Sequence, residues 1–297
     1  MNRKITWFRV LYLTCFLLGI LLSLTAPTQT RILARSDAQD GRVVYVLTFE
    51  GPVTPVLEQY IVDNIEEAQL NGVDALILEL DTPGGSVDVT KSITQKMLVS
   101  PIPIIVYVAP LGAHAGSAGT FITLAGHAAA MAPGSSIGAA SPITSGGQDI
   151  GETLEAKVEN MLSADIENLA SRRGEDAVEW AIAAVREAEA ATAEQALELG
   201  VIDVIAQDVP DLLEQLDGFD VEIQGETQPL EIRDAFIIAQ ELNPIQRLLH
   251  FIADPTIASL LFSLGSLGLI LELRSPGFGV PGIVGFVYCS PSMHWDN

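Results

Sequence analysis

Ten consecutive residues, Gly112–Phe121 (GAHAGSAGTF), gather small side chains around three that could serve as a nucleophile, His114, Ser117 and Thr120. Six of the ten are Gly or Ala, so backbone N–H groups there can approach a ligand closely. The following AGTFITLAG reads as a helix. Ser117 would then sit at a strand-to-helix junction, where unpaired amides and the helix dipole favour an anion or an oxyanion. The same residues also describe a tightly packed turn with a capping serine. Chemistry needs two further parts, a base and a second oxyanion donor.

Two histidines lie near the serine in sequence. His114 is three residues before Ser117 in the same turn, where reaching back would be strained, and His127 is at the far end of the predicted helix. Both read as structural residues. Lys157 is the better candidate base. It is one of only four lysines in the chain, with Lys4, Lys91 and Lys96, and lies on a predicted helix beside Leu154, Val158 and Met161. That spacing puts it on the edge of an apolar face. Withdrawing an ammonium from water favours its neutral form, and a neutral amine next to a serine hydroxyl makes a Ser–Lys dyad. Glu152, Glu155 and Glu159 around it equally describe a solvated lysine in weak surface ion pairs. Gly84-Gly85, in DTPGG after a predicted buried strand, can turn N–H groups inward as oxyanion donors, with the Ala118 N–H as partner. It can also be an ordinary turn closed by Pro83.

Composition narrows the function classes. The formal charge is −23, which excludes the basic stripe that nucleic-acid binding needs. Hydrophobic residues make up 48% and mean hydropathy is +0.35, so membrane segments are expected. Cys15 and Cys289 both lie in apolar end segments, so no disulfide framework or zinc cluster is readable. No metal or cofactor is expected.

The elements that must position these residues alternate from Arg42 onward. Strands are predicted at Val43–Phe49, Ala75–Leu80, Ile102–Ala109, Ala128–Ala132 and Val201–Ile205. Ile102–Ala109 is near-continuously apolar, as in a mostly parallel sheet. Pro55–Gln69 is an amphipathic helix with Leu57, Ile61, Ile65 and Ala68 on one face, ended by Asn71-Gly72. Ser86 can cap the next helix, which runs to about Val99. Pro133–Ser141 reads as a loop, followed by a polar, Gly-rich stretch to about Gly151. Helices follow at about Thr153–Ser171, Asp176–Ala188 and Ala193–Leu199, the last opened by a Thr192/Gln195 capping box and stopped by Gly200. The repeated units predict an α/β domain over 42–225.

The flanks read as membrane-associated. Residues 1–30 carry Arg3, Lys4 and Arg9 before an uncharged run, a signal peptide or an N-terminal anchor. Residues 31–41 and 226–254 are predicted linkers, the second of mixed helical character. Pro255–Leu271 is uncharged and apolar, reads as a membrane helix, and ends at Glu272 and Arg274. The membrane region is expected over 255–287, with the tail 288–297 atypical and the region truncated. Positive residues at the N-terminus and Arg274 past the span place the intervening domain outside the cytoplasm.

Three ordered motifs, ELDTPGG (79–85), GAHAGSAGTFI (112–122) and MAPGSSIGAASPI (131–143), closely resemble the membrane-bound Clp-protease-like serine proteases of the NfeD family. The likeness covers about 42–206, and residues 254–285 resemble the start of that family's membrane region. The resemblance implies a spiral α/β fold of the Clp/crotonase type, followed by C-terminal transmembrane segments, with oligomerisation at least to a dimer. It also implies endopeptidase activity through Ser117 and Lys157, with oxyanion donors at the Gly85 and Ala118 backbones and a stomatin-like membrane protein, or its apolar segment, as substrate. Full-length members continue through several spans to a small β-barrel domain that has no counterpart here. Two other readings fit the same fold. One is an acyl-CoA enzyme, disfavoured by the missing basic patch and the export signal. The other is a non-catalytic membrane scaffold for a stomatin-like partner.

Overall fold

The computed structural model describes residues 41–142 and 152–274. The expected N-terminal anchor, most of the 31–41 linker, nearly all of the Gly-rich stretch and the chain beyond Arg274 lie outside the described residues. The folded unit begins at Arg42.

Six parallel strands form the central sheet: β1 (Val43–Glu50), β2 (Ala75–Asp81), β3 (Ile104–Val108), β5 (Ala128–Met131), β8 (Val204–Ile205) and β11 (Phe236–Gln240), in the order β11-β1-β2-β3-β5-β8. Every residue of β3 is buried, which explains its unbroken apolar sequence. The pleat sends alternate residues to opposite faces, and each face has its own core. Leu76, Leu78, Leu80, Ile104, Val106 and Val108 pack with α1 (Pro55–Asn71) and α2 (Val87–Leu98) through Leu57, Ile61, Ile93 and Met97. Ala75, Ile77, Ile105 and Tyr107 face the other way, toward Leu212, Leu213 and Leu216 of α7 (Val209–Leu216) and Val221 of the β9–β10 hairpin (Asp220–Ile223, Glu226–Pro229). The sequence-predicted punctuation is present. Gly72 caps α1 in the left-handed region at φ +64°, Ser86 Oγ caps α2, and Thr192 with Gln195 forms the capping box of α6 (Ala193–Glu198).

A smaller sheet holds the candidate nucleophile. It comprises β4 (His114–Gly116), β6 (Ser136–Gly138) and β7 (Ala190–Thr192), with β4 parallel and β7 antiparallel to β6. Helix α3 (Ala118–Ala125) leaves β4 directly and is buried along its whole length. Beside it lie α4 (Glu152–Ala170) and α5 (Glu175–Arg186), whose Leu162, Ile166, Ala177, Trp180 and Ala181 join the first core.

Three expectations change. Residues 226–254 are not a mixed helical linker: they hold β10, β11 and α8 (Pro244–Ala253), and β11 pairs with β1 as the sheet's edge. Its sequence FIIAQ is a short apolar run with no alternation, yet its side chains are mostly exposed, so it reads no differently from the apolar helical segments around it. Pro133–Ser141 contains β6, a three-residue strand too small and Gly-rich to show a period. Val201 and Ile202 are not strand residues, because both amides return to the Ala196 carbonyl in a turn through Gly200 at φ +70°.

His127 is structural, as its position implied. Its buried ring accepts the Ile104 amide on Nδ1 at 3.0 Å. Burial, and secondarily the nearby Arg172 charge, lower its pKa to about 4. The unfolded imidazole, with an ordinary pKa near 6.5, takes up a proton that the folded ring refuses until about pH 4. Stability from this group is therefore complete above pH 6.5 and lost as pH falls toward 4. The loss amounts to about 3 kcal/mol. His127→Asn, which keeps an acceptor for Ile104, is expected to flatten the fall in stability between pH 7 and 4, measured by chemical denaturation. An unchanged slope would show that His127 is not the acid-sensitive group.

Candidate active site

Ser117 connects β4 to α3 with φ +48° and ψ −108°. A non-glycine residue rarely adopts positive φ, and the conformation costs of order 1–3 kcal/mol. It is the N-cap residue of α3, yet its side chain makes no capping hydrogen bond, so the hydroxyl is not used to close the helix. The expectation of a simple capping serine therefore does not hold, and half-burial leaves the side chain reachable.

The surrounding hydrogen bonds hold that backbone in place. The Ser117 amide donates to the Gly138 carbonyl at 2.9 Å, tying the junction to β6. Thr120, one turn into α3, is fully buried, and its hydroxyl lies 3.0 Å from the Ala115 carbonyl, 3.2 Å from the Gly138 carbonyl and 3.1 Å from the Gly138 amide. Thr120 is thus a brace and not a nucleophile. His114 points elsewhere: its Nδ1 lies 2.8 Å from Ser136 Oγ, and its amide donates to Asp81. Neither neighbour competes with Ser117.

The DTPGG turn lies directly against this junction. Thr82 bridges to Ala115, its amide donates to the His114 carbonyl at 2.7 Å, and its carbonyl accepts from Gly116 at 2.9 Å. Its buried hydroxyl receives the Gly84 amide at 3.1 Å. Glycine is required where the two segments touch. A Cβ on Gly84, whose φ is +121°, would lie 2.8 Å from Ser117 Cβ and 3.3 Å from its Oγ. A Cβ on Gly85 would lie 2.3 Å from the Val53 carbonyl oxygen. Val53 brackets Gly85 by accepting from Ser86 and donating to Gly84. The Ser117 and Gly84 amides are therefore both spent. The Gly85 and Ala118 amides donate to no acceptor among the described residues, which leaves these two amides available to a ligand. Sequence reasoning missed the organising roles of Thr82, Thr120 and Gly138. The only signal was a hydroxyl residue inside each Gly-rich motif.

Gly84, Gly85, Ser117 and Ala118 are brought together. Lys157 is on the second turn of α4, a helix that packs beside α3. It is exposed and makes no hydrogen bond to Ser117 among the described residues. Of the predicted apolar face, Val158 packs partly against the core, while Leu154 and Met161 are 50% and 46% exposed. Lys91, another of the four lysines, ties α2 to α4 through Asp165 at 3.2 Å, an exposed pair of small energetic consequence.

The α/β domain thus holds a strained serine at a strand–helix junction, facing a Gly-Gly turn. Residues 43–226 match the NfeD1b N-terminal domain and residues 256–291 the NfeD integral membrane domain; the chain belongs to the NfeD family. It is 37% identical over 249 residues to the membrane-bound protease PH1510 of Pyrococcus horikoshii, covering 82% of this chain and 56% of that one. It therefore spans a little over half the length of this curated relative. Among solved structures, it is similar to a lysine-to-alanine variant of the 1510-N membrane-bound stomatin-specific protease in complex with a substrate peptide. That likeness has a TM-score of 0.66 and 33% identity over 72% of this chain and 98% of the other. A serine-to-alanine variant of the same protease gives a TM-score of 0.63 at 34% identity, over 68% and 99% of the two chains. The resemblance read from the three motifs is borne out at the level of family and α/β fold.

The strain argument has a direct test. Gly84→Ala forces a side chain into Ser117 at a positive φ, and is expected to cost about 2 kcal/mol or more. Ser117→Gly removes the backbone strain and is expected to be neutral or stabilising by up to about 1 kcal/mol, while Ser117→Ala is not. Denaturant unfolding of the three variants measures this. A Ser117→Gly protein less stable than Ser117→Ala would contradict the strained geometry.

Proposed function

We propose that this chain is a membrane-anchored serine endopeptidase with Ser117 as nucleophile and Lys157 as general base. The observation that carries the reading is Ser117 itself: an uncapped, reachable hydroxyl on a strained backbone, pressed against Gly84 and flanked by two uncommitted amides. Strain of this kind is retained where positioning matters. The names of the relatives support the class of activity, since similar structures carry serine and lysine substitutions and one holds a substrate peptide.

In the proposed reaction, neutral Lys157 accepts the Ser117 proton as Oγ attacks a peptide carbonyl. The carbonyl π electrons move to oxygen, and the Gly85 and Ala118 amides stabilise that oxyanion. Collapse breaks the C–N bond, the lysine ammonium protonates the leaving amine, and an acyl-enzyme remains. The neutral lysine then deprotonates a water that releases the acyl group and restores Ser117. This chemistry requires Lys157 to leave water, because desolvation favours the uncharged amine. The exposed Leu154 and Met161 beside it supply apolar surface for a cover, which an apolar peptide or a second copy of the chain would provide. We therefore take the substrate to be an apolar segment, and a stomatin-like membrane protein to be its source. The protease domain is assigned to the extracytoplasmic side, in a homo-oligomer of at least two chains.

Cleavage of an apolar peptide by the detergent-solubilised chain tests the dyad. Ser117→Ala and Lys157→Ala are each expected to lower the rate by about 10²-fold or more. Wild-type rates in both would rule out the Ser117–Lys157 dyad, and no cleavage by the wild-type chain would leave the non-catalytic scaffold as the better reading. For topology, external protease on intact cells is expected to degrade residues 42–225, and complete protection of them would reverse the assignment.

A further inference from the structure

Helix α8 is amphipathic in an unusual sense, with Gln246 and His250 turned toward the protein. Gln246 is buried, and its amide nitrogen donates to Asp63 of α1 at 2.9 Å. His250, one turn later, packs against Phe49 with ring centroids 4.8 Å apart and planes tilted by 57°, and fills the space beside Gly51, where a Cβ would lie 2.9 Å from its Cε1. The outward arc is apolar. Ile245, Leu248, Leu249, Phe251 and Ile252 are 63%, 54%, 50%, 57% and 37% exposed. At 100° per residue they cover one continuous side of the helix. Arg247, held by Glu241 at 2.9 Å, sits at the border of that arc.

What covers this face follows from the chain that leaves it. Helix α9 (Pro255–Arg274) starts after a single residue, Asp254, whose carboxylate caps it by accepting from Thr256 and Ile257 at 2.9 and 3.0 Å. The match to the NfeD integral membrane domain begins at residue 256. Among the described residues no single helix is long and apolar enough to cross a membrane, but Pro244–Ala253 and Pro255–Ile270 meet that standard together, bent by 75°. A helix bent by 75° from one that follows the bilayer normal lies close to the plane of the bilayer surface.

We infer that α8 is an interfacial helix, with Ile245, Leu248, Leu249, Phe251 and Ile252 embedded in the lipid headgroup–acyl boundary and Arg247 at headgroup level. Interfacial helices bury their apolar face about 5–10 Å into that boundary. The same helix carries the position of the site. Gly51, under His250, donates to the Asp81 carbonyl, and Val53, two residues on, brackets Gly85. The carboxyl end of β1 and the Gly84-Gly85 turn are thereby held close to the bilayer surface. The inference rests on α8 and the membrane-domain match, and stands whether or not Ser117 is catalytic.

Spin labels test it. The full chain, with Cys15→Ser and Cys289→Ser, would carry a single nitroxide-labelled cysteine at Leu248, Phe251 or, as a control, Val99. Val99 is 67% exposed and precedes β3, at the opposite end of the sheet. In vesicles of phosphatidylcholine and phosphatidylglycerol, labels at Leu248 and Phe251 are expected to be relaxed more by oxygen than by a nickel chelate. Val99 is expected to show the inverse ratio. Chelate-dominated relaxation at Leu248 and Phe251 would place α8 in water. Shielding from both relaxants would place a protein there, such as a second copy of the chain. Either result overturns the inference.

Discussion

The site depends on one backbone conformation. Ser117 at φ +48° lifts its hydroxyl off the end of α3, where a relaxed serine would turn back to cap the helix. The cost is of order 1–3 kcal/mol and has to be met by the surroundings. The Ser117 amide is committed to Gly138, and Thr120 fixes Gly138 and Ala115 from inside the helix. Thr82 fixes the same strand from the opposite turn. Glycine at 84, 85, 116 and 119 lets these segments meet: a Cβ at Gly119 would stand 2.7 Å from Thr82 Cγ2, and one at Gly116 3.1 Å from the Pro83 carbonyl. The small residues are thus a packing requirement first, and they leave two amides uncommitted as a consequence.

The larger fold anchors both ends of this arrangement. The carboxyl ends of β1 and β2 present Val53 and the Gly-Gly turn, while β4 and β6 present Ser117. At the other end of α3, Arg172 donates to the Leu124 carbonyl at 2.8 Å and also to the Gly126 carbonyl, binding groups that a helix terminus leaves unpaired. Arg173 pairs with the largely buried Asp203 at 3.0 Å. Asp203 in turn receives the Ala129 amide, so the helix behind the serine is tied to β5.

Much of this was legible from residue types. Buried parallel strands advertise themselves as apolar runs, and Asn71-Gly72, Ser86 and the Thr192/Gln195 pair mark helix ends by chemistry that acts within a few residues. Ser117 and Gly84-Gly85 were readable because each needed a tight turn after a strand. Thr82 and Thr120 were not, since their role is to bond groups far away in sequence, and a threonine in a Gly-rich segment carries no local sign of its partner. β11 escaped for a related reason: its five residues pair with β1 across more than 190 positions and bury little. Lys157 was singled out from its spacing against Leu154, Val158 and Met161, but it is exposed, with Leu154 and Met161 exposed beside it, and local spacing cannot say what would withdraw it from water. The exposed apolar arc of α8 is another face whose cover local spacing does not name.

The central claim is that Ser117 is a nucleophile activated by Lys157. A serine-directed fluorophosphonate, followed by mass spectrometry of the digested protein, tests it most directly. One adduct per chain on Ser117, lost in Lys157→Ala while Thr120→Val folds and reacts no faster than wild type, is the predicted result. Labelling of Ser117 at an unchanged rate without Lys157, or no labelling of Ser117 in the folded wild-type chain, would contradict it.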